Sequence, residues 1–224
     1  MRDFESEKRT AAREAVKFLK DGMIVGLGSG SSSTLAIREI GELVKNGLSI
    51  KGIPTSDKTK ELAESLGIPL IDIHTVDAID ITIDGADEFT TELMLIKGGG
   101  GALLKEKIVA SLSREEIIIA DSSKKVAFLG KFKLPVEVIP FASAYVLGAL
   151  AKLGGTGEIR KDSAGYYRTD EGNYIIDADF GLIEDPASLA GKLDHITGVV
   201  EHGLFIQLAS KVIMGDGEGV MVYG

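Results

Sequence analysis

The segment richest in chemically capable residues runs Lys97-Gly98-Gly99-Gly100-Gly101-Ala102-Leu103-Leu104-Lys105-Glu106-Lys107. Four successive glycines forfeit conformational entropy and pack nothing, so they point to a backbone that must approach a ligand closely. Glu106 falls about one turn into the helix expected next, near its positive end, where a carboxylate is favoured in its ionised form and is a usable base. Without the glycine run, Glu106 would read as an exposed helix residue pairing with neighbouring lysines.

A second acidic group, Asp84-Gly85-Ala86-Asp87-Glu88, directly follows the apolar run Ile79 to Ile83. That puts the carboxylates at the carboxyl end of a strand, the edge at which open α/β sheets bind ligands. Taken alone, the motif also fits a turn with capping aspartates or a Mg²⁺ site. A third segment, Gly26-Leu27-Gly28-Ser29-Gly30-Ser31-Ser32-Ser33-Thr34, lies between an expected strand and an expected helix. Its backbone N–H groups and hydroxyls suit an anion such as a phosphate, and a tight turn with a Ser cap is the plainer reading. It is neither a dinucleotide fingerprint, which needs a third Gly at position 31 and an acid ending the next strand, nor a P-loop, which needs Gly-Lys-Ser/Thr. Thr55-Ser56-Asp57, Asp121-Ser122-Ser123-Lys124 and Leu134 to Val138 are ordinary turn and strand sequences on their own. His74, His195 and His202 show no metal spacing and no serine partner, and read as structural or surface groups.

These segments need a scaffold that gathers loops at one edge, and the apolar periodicity supplies one. Helices are expected at 5–20, 32–45, 56–66 and 103–112, and strands at 23–27, 49–53, 69–73, 79–83 and 116–120. That alternation predicts a doubly wound, mostly parallel α/β sheet. From Pro135 the order becomes strand 136–139, helix 143–152, strands 157–160 and 174–178, helix 186–193 and strand 198–201. This is the split βαβ, ferredoxin-like pattern of a smaller α+β domain. Two last strands, 204–213 and 219–223, are expected to return to the first sheet. The resulting division is 1–130 plus 204–224 for a Rossmann-like catalytic domain and 131–203 for the small one.

At 224 residues with 44% hydrophobic content the chain can bury a substantial core. Its formal charge of −9 opposes binding to nucleic acid or to an anionic membrane surface, so a phosphate ligand must find a local positive site. The absence of cysteine excludes disulfides, thiolate metal sites and a cysteine nucleophile. With no apolar signal core and no run of about 18 apolar residues, a soluble cytoplasmic protein is expected.

The loop at 26–32, DGADE at 84–88, KGGGGALLKEKIVA at 97–110, DSSK at 121–124, LGKFKLPVEVIPF at 129–141 and GVVEHGLF at 198–205 appear in this order across most of the chain. Together they resemble the type A ribose-5-phosphate isomerase family. The resemblance implies an aldose-ketose isomerase of the pentose phosphate pathway that needs no cofactor and no metal, assembled as a homodimer or homotetramer. It implies Glu106 as the proton acceptor, with Asp84, Asp87 and Lys97 as further catalytic groups. Ser29, Gly30, Ser31 and Ser32, then Asp84, Gly85, Ala86 and Asp87, then Lys97, Gly98, Gly99 and Gly100, and finally Lys124, are implied to hold the sugar phosphate. Ser32 stands where a Thr is more usual, a change that keeps the hydroxyl. Lys8 matches an N-terminal lysine near the phosphate in relatives. Rival readings are a sugar-phosphate deaminase, a CoA transferase with a glutamate nucleophile, and a non-catalytic sugar-phosphate sensor.

Overall fold

A computed structural model describes residues 2–224, which divide into two compact units. The first takes the chain as far as Ala86, then Lys105–Lys125 and Gln207–Gly224; the second is Asp87–Leu104 and Val126–Ile206.

The first unit opens with α1 (Phe4–Ala15), started by the Asp3 carboxylate accepting the Ser6 N–H. Its buried face is Ala11, Ala12 and Ala15, whose small size lets the helix lie close on its neighbours. The helical pattern expected as far as residue 20 ends earlier, in a 3-10 turn at Val16–Phe18. There follow β1 (Ile24–Leu27), α2 (Gly30–Lys45), β2 (Lys51–Pro54), α3 (Asp57–Ser65) and β3 (Ile81–Gly85). Buried Ser33, Ala36, Ile37, Ile40 and Gly41 form the i, i+3, i+4, i+7, i+8 stripe that seats α2. The strand expected at 69–73 is reduced to a single bridge between Gly52 and Leu70. Asp72 accepts the His74 N–H there and bends the chain into a 3-10 turn.

After β3 the chain enters the second unit with β4 (Glu88–Phe89) and β5 (Leu95–Ile96), two short strands that the sequence pattern does not announce. It regains the first unit along α4 (Leu103–Leu112) and β6 (Glu116–Ala120). The second unit then continues through β7 (Leu134–Val138), α5 (Ser143–Lys152), β8 (Thr156–Ile159), β9 (Lys161–Asp162), β10 (Gly165–Tyr166), β11 (Tyr174–Asp179), α6 (Pro186–Asp194), β12 (Val199–His202) and β13 (Leu204–Phe205). The last strands, β14 (Lys211–Asp216) and β15 (Gly219–Tyr223), belong to the first unit.

The first unit's sheet has the order β15-β14-β6-β3-β1-β2, parallel except for β15. Ile117, Ile118 and Ile119 on β6 are fully buried, as a central parallel strand covered on both faces requires. Strand order reverses at β1, which lies between β2 and β3, so the carboxyl ends of β1 and β3 form the switch point at which doubly wound sheets bind ligands.

The second unit's main sheet has the order β12-β7-β11-β8 with every pairing antiparallel, and α5 and α6 as the crossovers, as the split βαβ pattern predicts. A further sheet, β13-β5-β4, explains why 87–104 and 204–206 fall in this unit. The single strand expected over 204–213 is cut in two at Gln207, whose φ of 57° is incompatible with an extended chain. Only the second piece joins the parallel sheet; Leu204 and Phe205 pair with Ile96 and Leu95.

Candidate active site

At the switch point, β1 and β3 approach so closely that side chains are excluded from two positions. A Cβ on Gly26 would stand 1.8 Å from Thr82 Oγ1, and one on Gly28 would stand 2.1 Å from Asp84 Oδ1. The fully buried Asp84 fills that space, and its Oδ1 accepts from the Ser29 N–H (3.0 Å), the Gly85 N–H (2.7 Å) and the Ser33 hydroxyl (2.9 Å).

Ser29 is the N-cap of α2 but makes no side-chain cap bond. Its hydroxyl instead lies 2.8 Å from Thr55 Oγ1 and 2.9 Å from Ser56 Oγ, bracing the ends of β1 and β2. The first-turn N–H groups of α2 are thus spared a capping side chain, and an anion can take that place. Gly30, with φ +89°, makes the turn into the helix. Ser31 is exposed and its hydroxyl accepts from Lys8 Nζ at 3.3 Å, while the same ammonium pairs with Glu5 at 2.7 Å, so an ammonium stands at the loop with an acid beside it. Ser32 is half-buried beside them.

Leu112, at the far end of α4, accepts the Ile79 N–H just before β3, and Val109 is the side chain nearest to Gly26 after Thr82. The helix therefore runs back along the sheet. Glu106, one turn before Val109 on the same face, comes to the carboxyl edge of the strands. It is 5% exposed, not the solvated helix residue of the plainer reading, and lies in the first turn. Lys105 reaches Asp57 of α3 at 3.3 Å and ties the helix down. Lys124 closes a 3-10 turn after β6, capped by Asp121 and held through the Ser122 N–H by the buried Glu7 at 2.8 Å. Burial alone would raise the Glu7 pKa, but the hydrogen bonds from Ser122 and Gly217 and the nearby Arg2 hold it below the usual carboxylate range. Gly85 and Ala86 lead out of β3 half-buried.

In the second unit, Asp87 accepts the Gly99 N–H through Oδ2 at 2.7 Å, and a Cβ on Gly99 would come within 2.5 Å of Oδ1. Lys97 is 2% exposed, donates its N–H to Gly203 and lays its ammonium over the Phe205 ring, 5.4 Å from the centroid. Gly98 to Gly101 form a turn closed by the Gly101 N–H on the Gly98 carbonyl, with φ of +100° at Gly98 and +82° at Gly101. Gly100 is its exposed tip. Arg160 and Tyr167 also touch this turn, and Asp177 holds Arg160. They were not in the expected set, because a lone arginine at a strand end carries no local signal.

Asp194, Glu201 and His202 offer ligand atoms within 4.8 Å of one another, a grouping that spacing along the chain does not suggest. His202 Nδ1 accepts the Leu204 N–H at 3.2 Å, so the proton sits on Nε2 facing Asp194 at 3.1 Å. That tautomer has no ring lone pair left for a metal.

Residues 51–219 match the family model for ribose 5-phosphate isomerase A (phosphoriboisomerase A). The ribose-5-phosphate isomerase A of Parvibaculum lavamentivorans is 48% identical over 222 residues, covering 96% of each chain. A D-ribose-5-phosphate isomerase solved with phospho-erythronic acid superposes with a TM-score of 0.96 at 41% identity, covering 99% of each chain. The ribose 5-phosphate isomerase A of Methanocaldococcus jannaschii gives 0.92 at 45% identity, covering 96% of each. A doubly wound unit with this strand order, a split βαβ unit and nearly end-to-end identity of this size leave one assignment: the chain belongs to the ribose 5-phosphate isomerase A family.

Proposed function

We propose that this protein interconverts D-ribose 5-phosphate and D-ribulose 5-phosphate through an enediolate, with Glu106 as the base. The observation that carries the reading is a buried carboxylate at the start of α4, on the carboxyl edge of a doubly wound sheet. In the open-chain aldose, Glu106 takes the proton from C2 and the electron pair moves to O1. The C2 hydroxyl proton passes to O1, and Glu106 returns its proton to C1, which leaves the carbonyl on C2. One carboxylate serves both transfers, and atoms and charge balance without an oxidant.

The phosphate is taken by the N-terminus of α2, with Ser31, Ser32 and Lys8, where helix N–H groups and an ammonium coincide. Asp84 and Asp87 take sugar hydroxyls and assist ring opening. Lys97, Gly98, Gly99 and Gly100 supply a positive charge and backbone donors for the developing oxyanion, and Lys124 adds a further substrate contact. The protein works in the cytoplasm as a homodimer or homotetramer; exposed Phe141 and Tyr145 in the second unit support association, and light scattering reads the subunit number. No helix among the described residues is long and apolar enough to cross a membrane.

The test is an NMR time course of metal-free protein with ribose 5-phosphate in deuterated water. Ribulose 5-phosphate formation with deuterium entering at the exchanging carbon is the expected result. Binding without conversion would overturn the reading in favour of a sugar-phosphate sensor; ammonia release from an amino-sugar phosphate or acyl-CoA exchange would favour the other rivals.

A further inference from the structure

The glycine turn is held from behind by a charged clamp. Arg160 Nη1 donates to the carbonyls of both Gly98 and Gly99 at 3.1 Å, and the Tyr167 hydroxyl donates to the Gly100 carbonyl at 3.3 Å. Three consecutive carbonyls thus face the same two side chains. A trans peptide points its N–H opposite to its C=O, so the N–H groups of Gly99 and Gly100 face away from Arg160. The first of these is accounted for by Asp87, at 2.7 Å. The second belongs to the exposed Gly100 at the tip, where even a Cβ would meet nothing within 4 Å.

Arg160 is itself fixed on the sheet. It immediately follows β8, its own N–H bonds the Ile175 carbonyl at 2.7 Å, and its guanidinium forks onto Asp177 through Nε to Oδ2 (3.0 Å) and Nη2 to Oδ1 (2.5 Å). Asp177 sits on β11, in register with Glu158 of β8, so the ion pair joins the end of β8 to the strand beside it. The side chains are 14% and 24% exposed, and the guanidinium also lies 5.7 Å from the centre of the Tyr167 ring. An ion pair this enclosed, with a planar fork that lysine cannot reproduce, suits the orientation of a loop more than surface charge balance.

We propose that Arg160, locked by Asp177, is a positioning residue for the isomerisation. It sets the planes of the 98–99 and 99–100 peptides so that the Gly100 N–H is presented to the oxyanion of the enediolate. By bonding a cation to the carbonyl side of those peptides it also strengthens their N–H groups as donors. The inference rests on the reading in which the glycine run contacts substrate.

The experiment is steady-state kinetics on Arg160→Lys and on the double variant Arg160→Met/Asp177→Leu, which removes the ion pair without stranding a charge. Inhibition by phospho-erythronic acid is measured alongside, since its carboxylate is a planar oxyanion like the enediolate. The expected result is a kcat lowered about 10- to 100-fold, with KM within roughly twofold and inhibitor affinity weakened in parallel with kcat. Melting curves confirm that each variant is folded. A folded double variant with wild-type kcat and inhibition, or one altered only in KM, would overturn the proposal. Gly100→Pro, which deletes the N–H itself, separates the two levels. If its kcat is unchanged, the substrate role of the turn falls and the clamp with it. If kcat drops there while the double variant stays at wild-type values, only the clamp falls.

Discussion

Asp84 occupies the space that a side chain at position 28 would need: an added Cβ would lie 2.1 Å from its Oδ1 and 2.6 Å from its Cα. Gly28→Ala must therefore push β3 and β1 apart or displace the carboxylate. The expected cost is about 1–3 kcal/mol of stability by denaturant titration, with a fall in activity from the moved Asp84. Gly100→Ala, into open space, is the control and should leave stability within about 1 kcal/mol of wild type.

Glu106→Gln preserves the shape of the buried side chain and removes its basicity. Turnover is expected to fall about 10²–10⁴-fold while KM changes little, because a general base acts in the transition state. Near-wild-type turnover would remove Glu106 from the mechanism.

The acids at 84 and 87 already accept protein N–H groups, from Ser29 and Gly85 in one case and Gly99 in the other. Carboxylates so used fit sugar hydroxyls better than a hard cation that demands several oxygens. Prolonged EDTA treatment should leave the isomerase rate unchanged. A loss restored by Mg²⁺ would return DGADE to the metal reading.

Glu137 is buried on β7, and burial pushes its carboxyl above the ordinary range, only partly offset by hydrogen bonds from Asn173 and Thr169 and reinforced by the nearby Glu171 and Glu201 charges. The native state therefore holds a proton there that the unfolded chain has already released. Stability falls as pH rises from the ordinary carboxylate range through the raised value, and is flat in this respect above it. Glu137→Gln lacks this loss, so the melting temperature of the variant relative to wild type should climb through that window and then level off. A difference that does not change with pH would contradict the assignment.

Much of this protein is legible in its amino-acid sequence. Alternating apolar runs dictate the parallel sheet and its helices, since a strand buried on both faces must be continuously apolar and the crossover helices must carry a stripe. The same reading places Asp84 at a strand's carboxyl end and Glu106 in a helix's first turn, because both follow from position along a single element. The order β-α-β-β-α-β likewise leaves few ways to pair four strands.

What the sequence does not contain is the set of contacts between elements distant in the chain. Two-residue strands such as Glu88–Phe89 and Leu95–Ile96 have too few side chains for a period and are defined by pairing with each other and, for the second, with Leu204 and Phe205. Residues 204–213 look like one strand, and only the left-handed backbone at Gln207 splits them. The glycine run announces that a backbone must come close to something, but not that Arg160, about sixty residues on, holds its carbonyls from behind. Hydrogen bonds to main-chain carbonyls leave no trace in the identity of the accepting residue, so their partners are decided only when the tertiary fold brings the strands together.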